Sequence, residues 1–152
     1  MTKKESENIS LTFALNKITT EQFAVIEDIE INEDTIRLGT SFRFAANEND
    51  KLIAVFARFS FDSNDKPFII IEAGCHFKIV DQSWKEMLDV ETNTLIVPKV
   101  FLNHFAMLTV GTTRGILHAK TENTCYNKYV LPTINVTEII LADAEFHFVN
   151  KK

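Results

Sequence analysis

The chain has 152 residues, a hydrophobic share of 45% and a net charge of −5, which suits one domain that buries roughly 70% of its unfolded surface. The charge is uneven: residues 1–35 hold eight acids (Glu5, Glu7, Glu21, Glu27, Asp28, Glu30, Glu33, Asp34) and three lysines, while the other 117 residues carry 13 acids and 13 bases. An acidic end argues against nucleic acid or an anionic membrane as the main partner, and no stretch is long and apolar enough to insert into a bilayer.

Residues 1–9 read as a frayed polar start to a single domain spanning 1–152. Leu11, Phe13 and Leu15 alternate with Thr12, Ala14 and Asn16, which predicts a short strand. Residues 19–34 fit neither the helical nor the strand period and read as a long connection over the body of the protein. Three clearer strands follow, over 35–46, 51–61 and 68–80. They are joined by turns at Asn47-Glu-Asn-Asp50 and Asp62-Ser-Asn-Asp65, and together they predict an antiparallel meander. The second and third of these strands are apolar on one face throughout and partly apolar on the other. That pattern predicts partial cover of the second face by helices or another subunit.

Residues 82–90 read as a short helical stretch around Trp84, Met87 and Leu88. Asn93 or Thr94 is placed to cap a helix over 98–110, with Pro98 in its first turn and Gly111 and Gly115 ending it. This helix is apolar most of the way round, so two sides are expected to be buried, one against a second subunit. Residues 111–128 read as a loop. Thr137 is placed to cap a last helix carrying Glu138, Ile139, Ile140 and Ala144, although the end from Phe146 alternates like a strand.

Chemistry-bearing patterns are sparse. His76, His104, His118 and His147 do not show the i, i+4 spacing of a helical zinc site, and there is no Cys-x-x-Cys. His118 and Cys125 would make only half a metal site. Cys75 and His76 are neighbours on a strand, so they point to opposite faces and cannot pair as nucleophile and base. The expectation is no enzyme, no metal and no cofactor. Met1–Ser10 is polar and lacks a signal-type apolar stretch, which predicts a cytoplasmic protein with reduced thiols. The 13 phenylalanines, against one Trp and two Tyr, serve apolar contact only, in a core or in a groove.

Several pieces in order resemble the SecB-type export chaperones. Phe13-Ala-Leu-Asn-Lys-Ile18 is similar to the family's opening strand, and the meander over 35–80 matches its central strands. Leu95-Ile-Val-Pro98 resembles the lead-in to its long helix, Thr113-Arg-Gly115 the end of that helix, and Leu131-Pro-Thr-Ile-Asn135 the approach to its last helix. About eight extra residues lie within 117–129, and the family's acids are displaced, with Glu21 and Glu27 one place away and Glu72 near the position held by Ile70.

The resemblance implies an α+β fold: a four-stranded antiparallel meander sheet with a long helix and a shorter C-terminal helix packed on it. It implies a homotetramer, built as a dimer of dimers, that holds unfolded polypeptides or preproteins in apolar grooves without ATP. The implied groove residues are Phe23, Val25, Ile26, Phe42, Phe44, Tyr126, Tyr129, Leu131 and Ile140. Glu21, Glu27 and Glu72 are the implied docking residues for a SecA-type translocation ATPase. Family members also serve toxin–antitoxin systems, so an antitoxin is the other implied partner. The competing expectation is a small-molecule-binding or hydrolytic α+β domain with a closed apolar pocket that gathers polar groups such as His76 or His104.

Overall fold

A computed structural model describes residues 10–149, so the expected frayed start at 1–9 lies outside the described residues. The architecture is α+β. A four-stranded antiparallel sheet has the order β1-β4-β3-β2, and a smaller three-stranded sheet has the order β5-β6-β7. The meander is β2 (Ile36–Asn47), β3 (Leu52–Ser63) and β4 (Lys66–Ile79). Lys51 turns the first hairpin with φ 52°. Asn64 and Asp65 turn the second at 51° and 65°, a left-handed geometry that their short polar side chains tolerate.

β1 (Phe13–Val25) is far longer than the sequence predicts, and it replaces half of the expected connection. Its ladder with β4 slips between Leu15 and Lys17 and again between Thr20 and Gln22. Each bulge inserts an extra residue and resets which side chains face the core, so no single period runs through the strand. The remaining connection, residues 26–35, crosses from the β1 edge to the β2 edge. That span is three interstrand spacings, about 14 Å.

The long helix also outruns expectation. α1 is Asp81–Met87, whereas α2 is Lys99–Thr121, 23 residues, and it contains Gly111 and Gly115 rather than ending at them. Neither glycine has positive φ; the left-handed residue beyond the helix is Asn123 at 63°. Glycine costs a helix interior roughly 1 kcal/mol. The inward stripe of Leu102, Phe105, Ala106, Thr109, Val110, Thr113, Leu117 and Thr121 outweighs that cost, because all eight are buried. The three buried threonines satisfy their hydroxyls on carbonyls four residues back, at 2.7–2.8 Å. Pro98 stands just before the helix and offers no side-chain cap; instead Asp143 Oδ1 accepts from the Lys99 N–H at 2.8 Å. Residues 94–97, expected to lead into the helix, form β6 (Thr94–Val97) between β5 (Leu88–Asp89) and β7 (Ala144–His147).

The expected C-terminal helix is a single 3-10 turn, Val136–Glu138. Asn135 rather than Thr137 caps it, with Asn135 Oδ1 accepting from the Thr137 N–H. Only three residues are helical there because the chain must next extend into β7. No helix among the described residues is long and apolar enough to cross a membrane.

α2 packs across β3 and β4. Phe77 of β4 stacks on Phe105 of α2 at 4.3 Å, and Phe13 of β1 meets Phe105 edge-on at 4.9 Å. No helix among the described residues lies on the opposite face of the sheet, so of the two covers expected there, helices or another subunit, the first is not found. There the Phe56 ring stands against Gly74, its cross-strand partner: a Cβ at Gly74 would stand 2.6 Å from Phe56 Cε1 and 2.8 Å from Thr19 Oγ1. Gly74→Ala is therefore expected to cost about 1–3 kcal/mol and lower Tm by several degrees. Gly39→Ala, whose nearest neighbour is 3.8 Å away, should stay within about 0.5 kcal/mol in the same thermal melts.

Candidate apolar grooves

One helix about 10–12 Å wide cannot cover a sheet whose outer strands are about 14 Å apart centre to centre. The helix-side apolar residues of the two edge strands therefore remain half-covered. On β1, Phe23 and Val25 pair with Ile71 and Ile69, which places them on the helix side, half-buried. Leu15 and Ile18, on the same side, are each 49% exposed. On β2, Phe42 and Phe44 pair with Ala57 and Val55 on the helix side and are half-buried.

The expected groove residues thus divide among several places. Val25 and Ile26 stand at the end of the sheet where β1 stops and β4 begins, and the Ile26 N–H donates to the Phe68 carbonyl at 2.9 Å. Tyr126 lies in the 3-10 turn Cys125–Lys128 that follows α2, and Tyr129 is its C-cap. Tyr129 packs its ring against Phe68 at 5.0 Å and Phe61 at 5.9 Å. Phe44 lies six residues along β2 from Leu38, the partner of Phe61, which is about 20 Å from this end. Leu131 and Ile140 are 2% and 6% exposed and belong to the core cluster, and Leu131 also lines a depression beside the long helix.

At the Tyr126 end, Ile31, Glu33, Cys125, Tyr126, Lys128 and Tyr129 line an open depression of about 260 Å³. A single oxygen, Glu33 Oε1, accepts from Lys128 Nζ at 3.0 Å and from the Tyr129 hydroxyl at 2.9 Å. Sequence reasoning missed Glu33, since nothing local marks a carboxylate whose partners lie 95 and 96 residues away. Lys128 first and Tyr129 second hold the Glu33 carboxyl below its ordinary value of 4.5. Burial and then Glu33 push the Tyr129 hydroxyl up, which keeps it a donor.

Two further depressions run along the exposed flank of α2 and share Met107. One, about 410 Å³, includes Val110, Arg114 and Ile134; the other, about 540 Å³, includes Leu11, Phe13, Val100 and His104. Both are open at the surface. Arg114 fixes the strap beyond α2 by donating to the Leu131 and Pro132 carbonyls, each at 2.7 Å. Charge-assisted bonds of this kind contribute roughly 1.5–3 kcal/mol each.

Of the expected docking acids, Glu21 sits at the second bulge of β1, exposed, near Thr19 Oγ1 at 3.4 Å. Glu27 is exposed just beyond β1. Glu72 is largely enclosed and paired with Arg43 at 3.2 Å. Cys75 is buried on the helix side, whereas His76 faces the other side near Thr19. His118 is engaged by Asn127 and Glu122. No three His, Cys, Asp or Glu side chains gather as a metal site among the described residues. No protein-family model matches the chain, and no curated protein is significantly similar to it.

Glu33 also yields a pH test. Its folded-state value lies below its unfolded one, so its contribution is complete above the ordinary 4.5 and is lost as pH falls through the lowered value. Glu33→Gln should therefore be less stable than the native chain near neutral pH. That difference should shrink as urea titrations are repeated at steps below pH 4.5.

Proposed function

We propose that this chain is an ATP-independent holdase of SecB-like type that binds unfolded polypeptides on apolar surface. The observation that carries this reading is the half-covered helix side of the sheet. Apolar side chains that most monomers would bury are left open on both edge strands and along the outer flank of α2, where Val100 and Met107 are 63% and 60% exposed. Such surface marks interaction sites rather than an ordinary exterior.

The physics of holding follows from the geometry. The open depression at Tyr126 and the half-covered edge strands accept side chains of any apolar shape. Each Leu or Phe that a client buries contributes roughly 1.5–3 kcal/mol. Three or four such contacts exceed the ordering cost of a flexible chain without any sequence-specific readout. No nucleotide step enters this scheme. Under this reading the exposed flank of α2 also serves assembly into a dimer of dimers. A SecA-type ATPase or an antitoxin would meet Glu21 and Glu27, since Glu72 is already engaged by Arg43.

A second reading draws on Asn103. Its Oδ1 is buried without a hydrogen-bond partner beside the 540 Å³ depression. That volume falls in the range of small-molecule sites, and the orphan acceptor would suit a ligand carrying an N–H or O–H.

The two readings separate in one experiment. The purified protein is mixed with a chemically unfolded, slow-folding polypeptide without nucleotide and run on a sizing column with mass detection. A tetramer-sized species carrying client supports the holdase. Tyr126→Ser and Phe42→Ser should each weaken client binding about tenfold, a loss of about 1.4 kcal/mol. An assembly that ignores unfolded chains, while Asn103→Leu changes small-molecule binding, favours the pocket.

A further inference from the structure

The helix-free face of the sheet has a charge unlike the rest of the molecule. The strand pairings place Arg37, Arg43, Arg58, Lys17 and Lys78 on it. The chain has four arginines, so three of them share one face; the fourth, Arg114, is spent on carbonyls elsewhere. The acids on this face are Glu72, Asp62 and the bulged Glu21. Five cations against three acids leave a surplus of two positive charges in a chain whose total is −5.

Most of those acids are already engaged. Glu72 pairs with Arg43 at 3.2 Å, and Asp62 accepts from Ser60 at 2.5 Å. Arg58 donates to Gln22 and stands across the ladder from Glu72, a carboxylate already held by Arg43. Arg37 is exposed at the β2 edge. An apolar hollow of about 170 Å³ lies on the same face, lined by Ala45, Leu52, Ala54, Phe56 and His76. Phe56 is 6% exposed although no helix covers it, because the Arg43 guanidinium lies 3.9 Å above the ring and His76 meets it edge-on at 5.5 Å.

We propose that this face is a docking surface for an acidic polypeptide segment. The segment's carboxylates meet Arg37 and Arg58, and one of its apolar side chains enters the hollow beside Phe56. Guanidinium forks match carboxylates in two-point geometry, which ammonium groups do not. Electrostatic complementarity of this kind governs encounter and register more than raw affinity. The interspersed Glu21, Asp62 and Glu72 oppose a continuous phosphate backbone but leave room for separated carboxylates. The ring face that a base would stack on is already occupied by Arg43. This surface is on the opposite side of the sheet from the apolar grooves, so the proposal stands apart from the holdase reading.

The test uses the full chain and a fluorescein-labelled peptide of alternating Glu and Leu. The comparators are the same peptide with Lys for Glu and an oligouridine of matched length. Anisotropy titrations should show the acidic peptide binding best and weakening as salt rises. Arg37→Gln with Arg58→Gln should weaken it about tenfold or more, with the circular dichroism spectrum and Tm unchanged. Arg37 is exposed but Arg58 is half-buried, so a second variant, Ala54→Glu, checks the hollow separately and should weaken the same peptide. Equal binding of the lysine peptide, tighter binding of oligouridine, or indifference to both variants overturns the proposal. So does salt-sensitive self-association that excludes the peptide, since a second copy would then be the occupant.

Discussion

The apolar side of β3 and β4 must be removed from water, and among the described residues α2 is the helix that packs across it. Ile53, Val55, Ala57, Phe59 and Phe61 on β3 face the helix with Ile69, Ile71, Ala73, Cys75, Phe77 and Ile79 on β4, all nearly or fully buried. α2 serves the middle of the sheet and cannot serve its edges. Everything of functional interest on the helix side follows from that mismatch of widths. The edge strands carry residues apolar enough to want cover, and the fold leaves them half-covered.

Segments with little regular structure are held by a few long-range polar contacts. Arg114 ties the strap beyond α2 to the helix. Asp143 ties the C-terminal stretch to the start of the same helix, 44 residues earlier in the chain. Glu33 ties the crossing connection to the turn bearing Tyr126 and Tyr129. Backbone carbonyls and N–H groups in such segments have no ladder to satisfy them, so side chains from elsewhere must. The two faces of the sheet then differ in kind: one is apolar and partly open, the other bears arginine and a small hollow.

The meander was legible from sequence because β2, β3 and β4 keep register over most of their length and their turns carry Asn and Asp. Strand β1 was not, because two bulges break its alternation while its pairing with β4 continues. Half of α2 was hidden for another reason. Gly111 and Gly115 look like stop signals locally, and the buried stripe that overrules them includes Thr109, Thr113 and Thr121, which read as polar. Among the expected groove residues, Phe42, Phe44 and Tyr126 were readable as apolar side chains, and the structure leaves them partly exposed. Leu131 and Ile140 were not separable from core, since burial depends on neighbours far along the chain. The lysine and tyrosine that meet Glu33, and the gathering of three arginines on one face, depend on tertiary register and leave no local trace.

The Ser83 hydroxyl donates to the Ser10 carbonyl at 2.8 Å and accepts from the Thr12 N–H at 2.9 Å, while the neighbouring Trp84 stacks on Phe148 at 6.1 Å. Both extremities of the described chain are thus moored to adjacent residues of the seven-residue α1. A load applied through those extremities would enter at that one short helix, as a peeling force on a few contacts. At the Ser10 end that helix would take the strain ahead of β1, whereas at Phe148 two hydrogen bonds to Asn93 would share it with the smaller sheet.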